Sequence, residues 1–179
     1  SVRAVCAVSA AHPNALRAAM LTDPRQVRAL SYVLAYQRPW LAERALLRNG
    51  AAAVTDLLSR WAQPEQLSDA VLETYRAAFL HGNTAHCAIE FHRWALRSIP
   101  RPDGRSFAVS MQNGVTVPVM HIHGATDTSI LLPTAQASRE FALGSWTMHE
   151  VECGHLIPEQ RPDELTSHIL SWLKDVVSD

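Results

Sequence analysis

The sequence predicts an α/β fold: three parallel strands with flanking helices, interrupted by an inserted all-helical block. Three observations carry this. Apolar runs of strand length stand at the start of the chain and again in its last third, each followed by loop residues. The end of the chain has apolar residues at helical spacing. From Thr22 to Ile99 the pattern is helical, with no strand signal.

The strands come first. Val2–Val8 ("VRAVCAV") is rich in Val, Val117–His123 ("VPVMHIH") admits Pro118 at its entrance, and Trp146–Val151 ("WTMHEV") alternates more. Such runs suit a parallel sheet covered on both faces, with Pro tolerated only where no ladder N–H is needed. A helix over Arg161–Val177 follows the third strand. Pro162 suits its first turn, Asp163 and Glu164 favour the positive end of the helix dipole, and Leu165, Ile169, Leu170, Trp172, Leu173 and Val176 form the apolar stripe. A weaker helix, Thr134–Phe141, joins the second and third strands, which completes two crossover units.

The middle block reads as helices over Arg25–Ala35, Leu41–Arg48, Ala52–Trp61, Ser68–Phe79 and Ala85–Ser98. They are separated by Arg38-Pro39, Asn49-Gly50, Gln63-Pro64 and His81-Gly82-Asn83. Pro100–Gly104 ("PRPDG") reads as a loop returning to the sheet. The expected organisation is a first core strand and its exit over 1–21, a helical lid over 22–99 and an α/β core over 100–179.

Composition excludes several function classes. The formal net charge is −1 and the pI about 6.7, so nothing points to nucleic acid. No apolar stretch approaches the roughly 18 residues of a membrane span, and the short apolar start reads as a strand, not a leader. The odd cysteine count without CxxC suggests reduced, mostly buried thiols at Cys6, Cys87 and Cys153, as in a cytoplasmic protein.

Chemistry concentrates at two strand exits. Asp127 ends "VPVMHIHGATD" and His155 follows in "MHEVECGH", 28 residues later. A carboxylate at one strand exit can fix the tautomer of a histidine at the next, and that histidine can activate a nucleophile or a water. Gly124 and Gly154 are expected to give the chain the freedom to turn before each residue. Two other readings compete. His121 and His123, on one strand face, could join Asp127 around a metal, although a buried parallel strand turns that face toward helices. Cys153 is a tempting nucleophile, but it shares a loop with His155. The lid arginines read as a solvated face.

These residues together resemble the C-terminal part of an α/β-hydrolase, with a lid similar to that of the epoxide-hydrolase branch, over essentially the whole chain. By that resemblance "AVCAVSAAHP" matches the strand that leads into the lid, with His12-Pro13 at its exit. Asp127 matches the acid and His155 the catalytic base. "SYVLAYQRPWLAE" looks like the segment bearing the first lid tyrosine, here Tyr32, a phenol that donates to the substrate oxygen. The second lid tyrosine is replaced: "AIEFHRWALRS" puts His92 there. A phenol of pKa about 10 polarises an oxygen better than a neutral imidazole.

The resemblance implies hydrolysis through an alkyl-enzyme ester on an upstream Asp, with water activated by His155 and Asp127, no cofactor, no metal, and a small, largely apolar substrate walled by Tyr36, Trp40, Phe91 and Trp94. An upstream Ser would make it a serine-type esterase. No GxSxG motif occurs, so the nucleophile is expected outside these residues, in an N-terminal half of the fold, and the chain alone is expected to be catalytically incomplete. The Val2–Val8 edge is then expected to pair with that half or with a second copy. A non-catalytic binding or assembly module is the other class of function.

Overall fold

The computed structural model describes residues 2–177. Its sheet holds three parallel strands in the order β1 (Val5–Val8), β2 (Val119–Gly124) and β3 (Trp146–Val151). Val5 pairs with Val119, and Val119 with Trp146. All six residues of β2 are buried, including His121 and His123, as in a parallel strand covered on both faces. The first strand is shorter than its Val-rich run, because Val2–Ala4 form no ladder. On one face Met120, Ile122, Val151, Cys153, Ile157 and Trp172 make a core.

Helices α1 (Pro13–Thr22), α2 (Pro24–Ala29) and α3 (Ser31–Ala35) follow β1. The first of these stands where only a strand exit was expected. His12 caps it through Nδ1, which accepts from the Asn14 N–H, and Pro13 occupies the first turn. The helix expected over Arg25–Ala35 breaks at Leu30. Helix α4 (Leu41–Trp61) is interrupted at the Asn49-Gly50 signal, where Asn49, Gly50 and Ala51 are all left-handed. Helices α5 (Asp69–Leu80) and α6 (Thr84–Arg97) pack on it around Ala42, Leu46, Val54, Leu58 and Ile89.

The expected loop at 100–104 instead starts helix α7 (Pro102–Ser110). Pro102 and Asp103 act as first-turn residues, so the same letters that punctuate a loop open a helix. The β2–β3 connection is α8 (Leu132–Gln136) and a 3₁₀ turn over Ala137–Phe141. Then come α9 (Ile157–Gln160) and α10 (Pro162–Val177). In α10, Leu165, Ile169, Trp172 and Val176 face the core, whereas Leu170 and Leu173 are exposed. Cys6 and Cys87 are exposed, contrary to the expectation of mostly buried thiols; Cys153 is buried. No helix among the described residues is long and apolar enough to cross a membrane.

Candidate active site

Asp127 and His155 meet at the exits of β2 and β3. His155 Nδ1 lies 2.7 Å from Asp127 Oδ2. A carboxylate there can only accept, so Nδ1 carries the proton and Nε2 presents its lone pair. The other carboxylate oxygen, Oδ1, accepts from the Ser129 N–H at 2.7 Å and the Ile130 N–H at 2.9 Å. The Asp127 side chain is fully buried, whereas that of His155 keeps 19% exposure. The acid is thus clamped, and the histidine edge faces open space. Nε2 has no hydrogen-bond partner among the described residues.

The two glycines serve by leaving room, not by turning left-handed. A Cβ on Gly124 would stand 2.0 Å from the Gly154 oxygen, and one on Gly154 would stand 2.1 Å from the Trp61 oxygen. Three main chains therefore stack in file from the β2 exit to the end of α4. Helix α4 ends with carbonyls that have no partner inside the helix. The loops after β2 and β3 and helix α9 supply donors: Thr128 Oγ1 to Arg60 O (3.2 Å), His155 N to Trp61 O (2.7 Å), Gln160 Nε2 to Ala62 O (2.7 Å) and Thr126 Oγ1 to Gln63 O (3.0 Å). Buried Gln26 ties α2 to the acid loop, donating to Ser129 O and accepting from the Leu131 N–H.

The lid residues converge on the same point. Trp61 meets His155 edge-on at 5.1 Å, Tyr32 meets Trp61 at 5.6 Å, and His92 meets Tyr32 at 5.8 Å. Burial raises the Tyr32 pKa, with the Ser129 side chain pulling it down and the Asp127 charge adding to the rise. Tyr32 therefore remains a phenol, able to donate. His92 Nδ1 lies 2.9 Å from the Ala88 carbonyl and must donate to it. In the neutral ring Nε2 is then an acceptor, so His92 does not reproduce the donor that a second tyrosine would supply.

Two expectations fail here. Trp40, Phe91 and Trp94 are 85%, 73% and 58% exposed and stand outside the lid cleft that Tyr36 lines. Phe91 and Trp94 flank the inward-facing Arg93 on α6 and so point away from it. The lid arginines are not uniformly solvated: Arg93 is 2% exposed. Its five donors reach Tyr36 O, Arg38 O, Glu90 and both oxygens of Glu43. That guanidinium holds Glu43 down at about pKa 2. Arg93 fixes the turn after α3, close behind Tyr32 and Tyr36, and no local sequence pattern announces a pairing of residues fifty positions apart.

The competing sites also resolve. Among the described residues, donor atoms of three His, Cys, Asp or Glu side chains gather only at Glu43, His86 and Glu90, where Arg93 already occupies both carboxylates. His123 Nε2 stands 3.5 Å from Asp127 Oδ2 and 2.9 Å from the Ile130 carbonyl, but His121 does not join them to make a three-ligand cluster. The Cys153 thiol is buried and pushed up to about 11, chiefly by that burial, which makes it a poor nucleophile.

Comparison with known proteins adds the fold. No protein-family model matches the sequence, and no curated protein matches it. Solved structures do. A candidate acyltransferase from Salmonella enterica superposes with a TM-score of 0.81 at 19% identity, over 98% of this chain and 57% of that one. A candidate epoxide hydrolase from Pseudomonas aeruginosa, solved as a point variant, gives 0.76 at 18%, over 99% and 59%. A point variant of a Bacillus megaterium epoxide hydrolase gives 0.75 at 15%, over 97% and 61%. The chain therefore has the fold of the C-terminal part of an α/β-hydrolase with its helical cap. It spans about 60% of the length of those structures.

Proposed function

We propose that this chain provides the general base and lid of a hydrolase that works through a covalent intermediate. The observation that carries the reading is the His155–Asp127 contact of 2.7 Å, with the second carboxylate oxygen held by two main-chain donors. This arrangement fixes the tautomer of the neutral ring that offers the Nε2 lone pair and steadies the imidazolium that forms when it takes a proton. Residues outside Val2–Val177 contribute the nucleophile, on a segment that pairs with the open edge of β1. An Asp nucleophile gives an alkyl-enzyme ester, which water activated by His155 then hydrolyses, as in the epoxide-hydrolase reading. Tyr32 donates to the substrate oxygen.

A second reading has its own support. With His92 in the role of an acceptor, Tyr32 is left as one phenolic donor, which suits an ester carbonyl as well as an epoxide. One experiment separates the two. In the full-length protein His155→Gln is expected to accumulate a covalent adduct, detected by intact-mass spectrometry, with an aryl epoxide if the nucleophile is Asp. With a p-nitrophenyl ester it forms no acyl adduct if the nucleophile is Ser, because the seryl proton then has no base to take it, whereas the unsubstituted protein turns the ester over. Unimpaired turnover by His155→Gln with both substrates would refute the base assignment.

A further inference from the structure

The lid carries a cleft of about 500 Å³ between α3 and α4. Four arginines line it: Arg38, Arg44, Arg48 and Arg60. None of the four is ion-paired among the described residues, whereas Arg25, Arg76, Arg93, Arg97, Arg101 and Arg161 each reach a carboxylate. The acid nearest in sequence, Glu43, is spent on Arg93. Between the guanidiniums the wall is apolar, formed by residues such as Ala42, Leu46 and Leu57. Tyr32 and Tyr36 close the end nearest the Asp127–His155 pair, and the Arg60 charge pulls the Tyr36 pKa down against the burial that raises it.

Four like charges around one concavity repel each other, and that repulsion is relieved when an anion enters. Guanidinium forks match carboxylate and phosphate oxygens in geometry as well as charge. The apolar wall asks for a hydrocarbon body. We propose that this cleft binds an amphipathic anion, an apolar chain ending in a carboxylate or phosphate head, with the head among Arg38, Arg44, Arg48 and Arg60 and the chain along the Ala42–Leu46–Leu57 wall. Resting on the proposed hydrolase function, this defines the substrate class: the bond to be cleaved lies near Tyr32, in a molecule that also carries an anionic head.

The test is calorimetric titration of the full-length protein with decanoate, decyl phosphate, 1-decanol and decyltrimethylammonium, each below its micellar concentration. At low salt at least one of the two anions is expected to bind about tenfold or more tightly than the alcohol, the size of one charge-assisted contact. That margin shrinks as salt screens it. The tighter anion identifies the head group. The substitution of all four arginines by Gln is expected to erase the margin while alcohol binding stays. If that variant misfolds, Arg60→Gln alone is expected to reduce the margin about threefold. Equal affinity for anions and alcohol, no binding of any probe, or a margin that survives substitution would each overturn the proposal. The catalytic reading stands apart: His155→Gln is expected to keep the anion margin while losing turnover.

Discussion

At the β2 and β3 exits, Asp127 and His155 are fixed by main-chain donors and by glycines that let backbones touch. In the lid, Tyr32 and Tyr36 depend on one guanidinium, whose donors hold the turn that follows them. The first arrangement distributes its hold over many small contacts, some local to Asp127 and others reaching back to the end of α4. The second concentrates it in Arg93, a long-range buried ion pair. A buried pair adds little compared with a well-packed apolar replacement, yet breaking it by removing one partner is costly. The lid is therefore the more brittle of the two regions.

The sharpest break of that contrast is Arg93→Met. It leaves Glu43 half-buried without its partner and two carbonyls unpaired, and should cost about 3–5 kcal/mol. Chemical denaturation with hydrogen exchange should show α6 and the 36–40 turn opening first, and a loss under about 1 kcal/mol would contradict the picture.

Acid should separate the regions next. His121 is buried with both ring nitrogens unpartnered, and burial first, then His123, holds it at about pKa 4 against an ordinary 6.5. Between those values the unfolded chain takes up a proton that the folded sheet refuses. Sheet stability should thus fall from about pH 6.5 to 4, by a loss on the order of 3 kcal/mol that His121→Phe abolishes. In the lid, Glu43 is held at about 2 against 4.5, so its contribution is whole above about pH 4.5 and is lost only toward pH 2. Unfolding of both regions in one pH window would argue against this separation.

Gly154→Ala comes third. Its new methyl would press on the Trp61 carbonyl, with an expected cost of about 1–3 kcal/mol and a displaced His155, measured as a lower Tm and a shifted His155 NMR resonance. An unchanged Tm would remove the close-approach explanation. The smallest effect is Ala51→Gly. Ala51 is left-handed at φ 62° and fully buried, so glycine should relieve about 1 kcal/mol of strain, partly offset by its larger unfolded-state entropy.

The sheet was far more legible in the sequence than the lid, for the same physical reason. Strand runs, the terminal helix and the Asp127 and His155 positions are local patterns, and a β–α unit converts local pattern into placement. The Asn49-Gly50 break was equally local. Helices α1 and α7 escaped because His12-Pro13 and Pro102-Asp103 are as much loop punctuation as helix starts. Arg93, Gln26 and the Trp61 carbonyl escaped because their partners lie tens of residues away, beyond any periodicity. Exposure of the lid aromatics was illegible too, since α6 presents Trp94 directly beside buried Arg93.

The end of α4 has a consequence for modularity. Residues 60–63 close helix α4, yet their carbonyls are the acceptors on which the Asp127 and His155 loops and α9 rest. Because the acceptors are main-chain carbonyls, a graft of another helical insert keeps the floor beneath His155 only if its last turn brings carbonyls to the same places. The natural seam lies one turn earlier along α4, so that the native last turn, from about Arg60 onward, stays with the sheet unit.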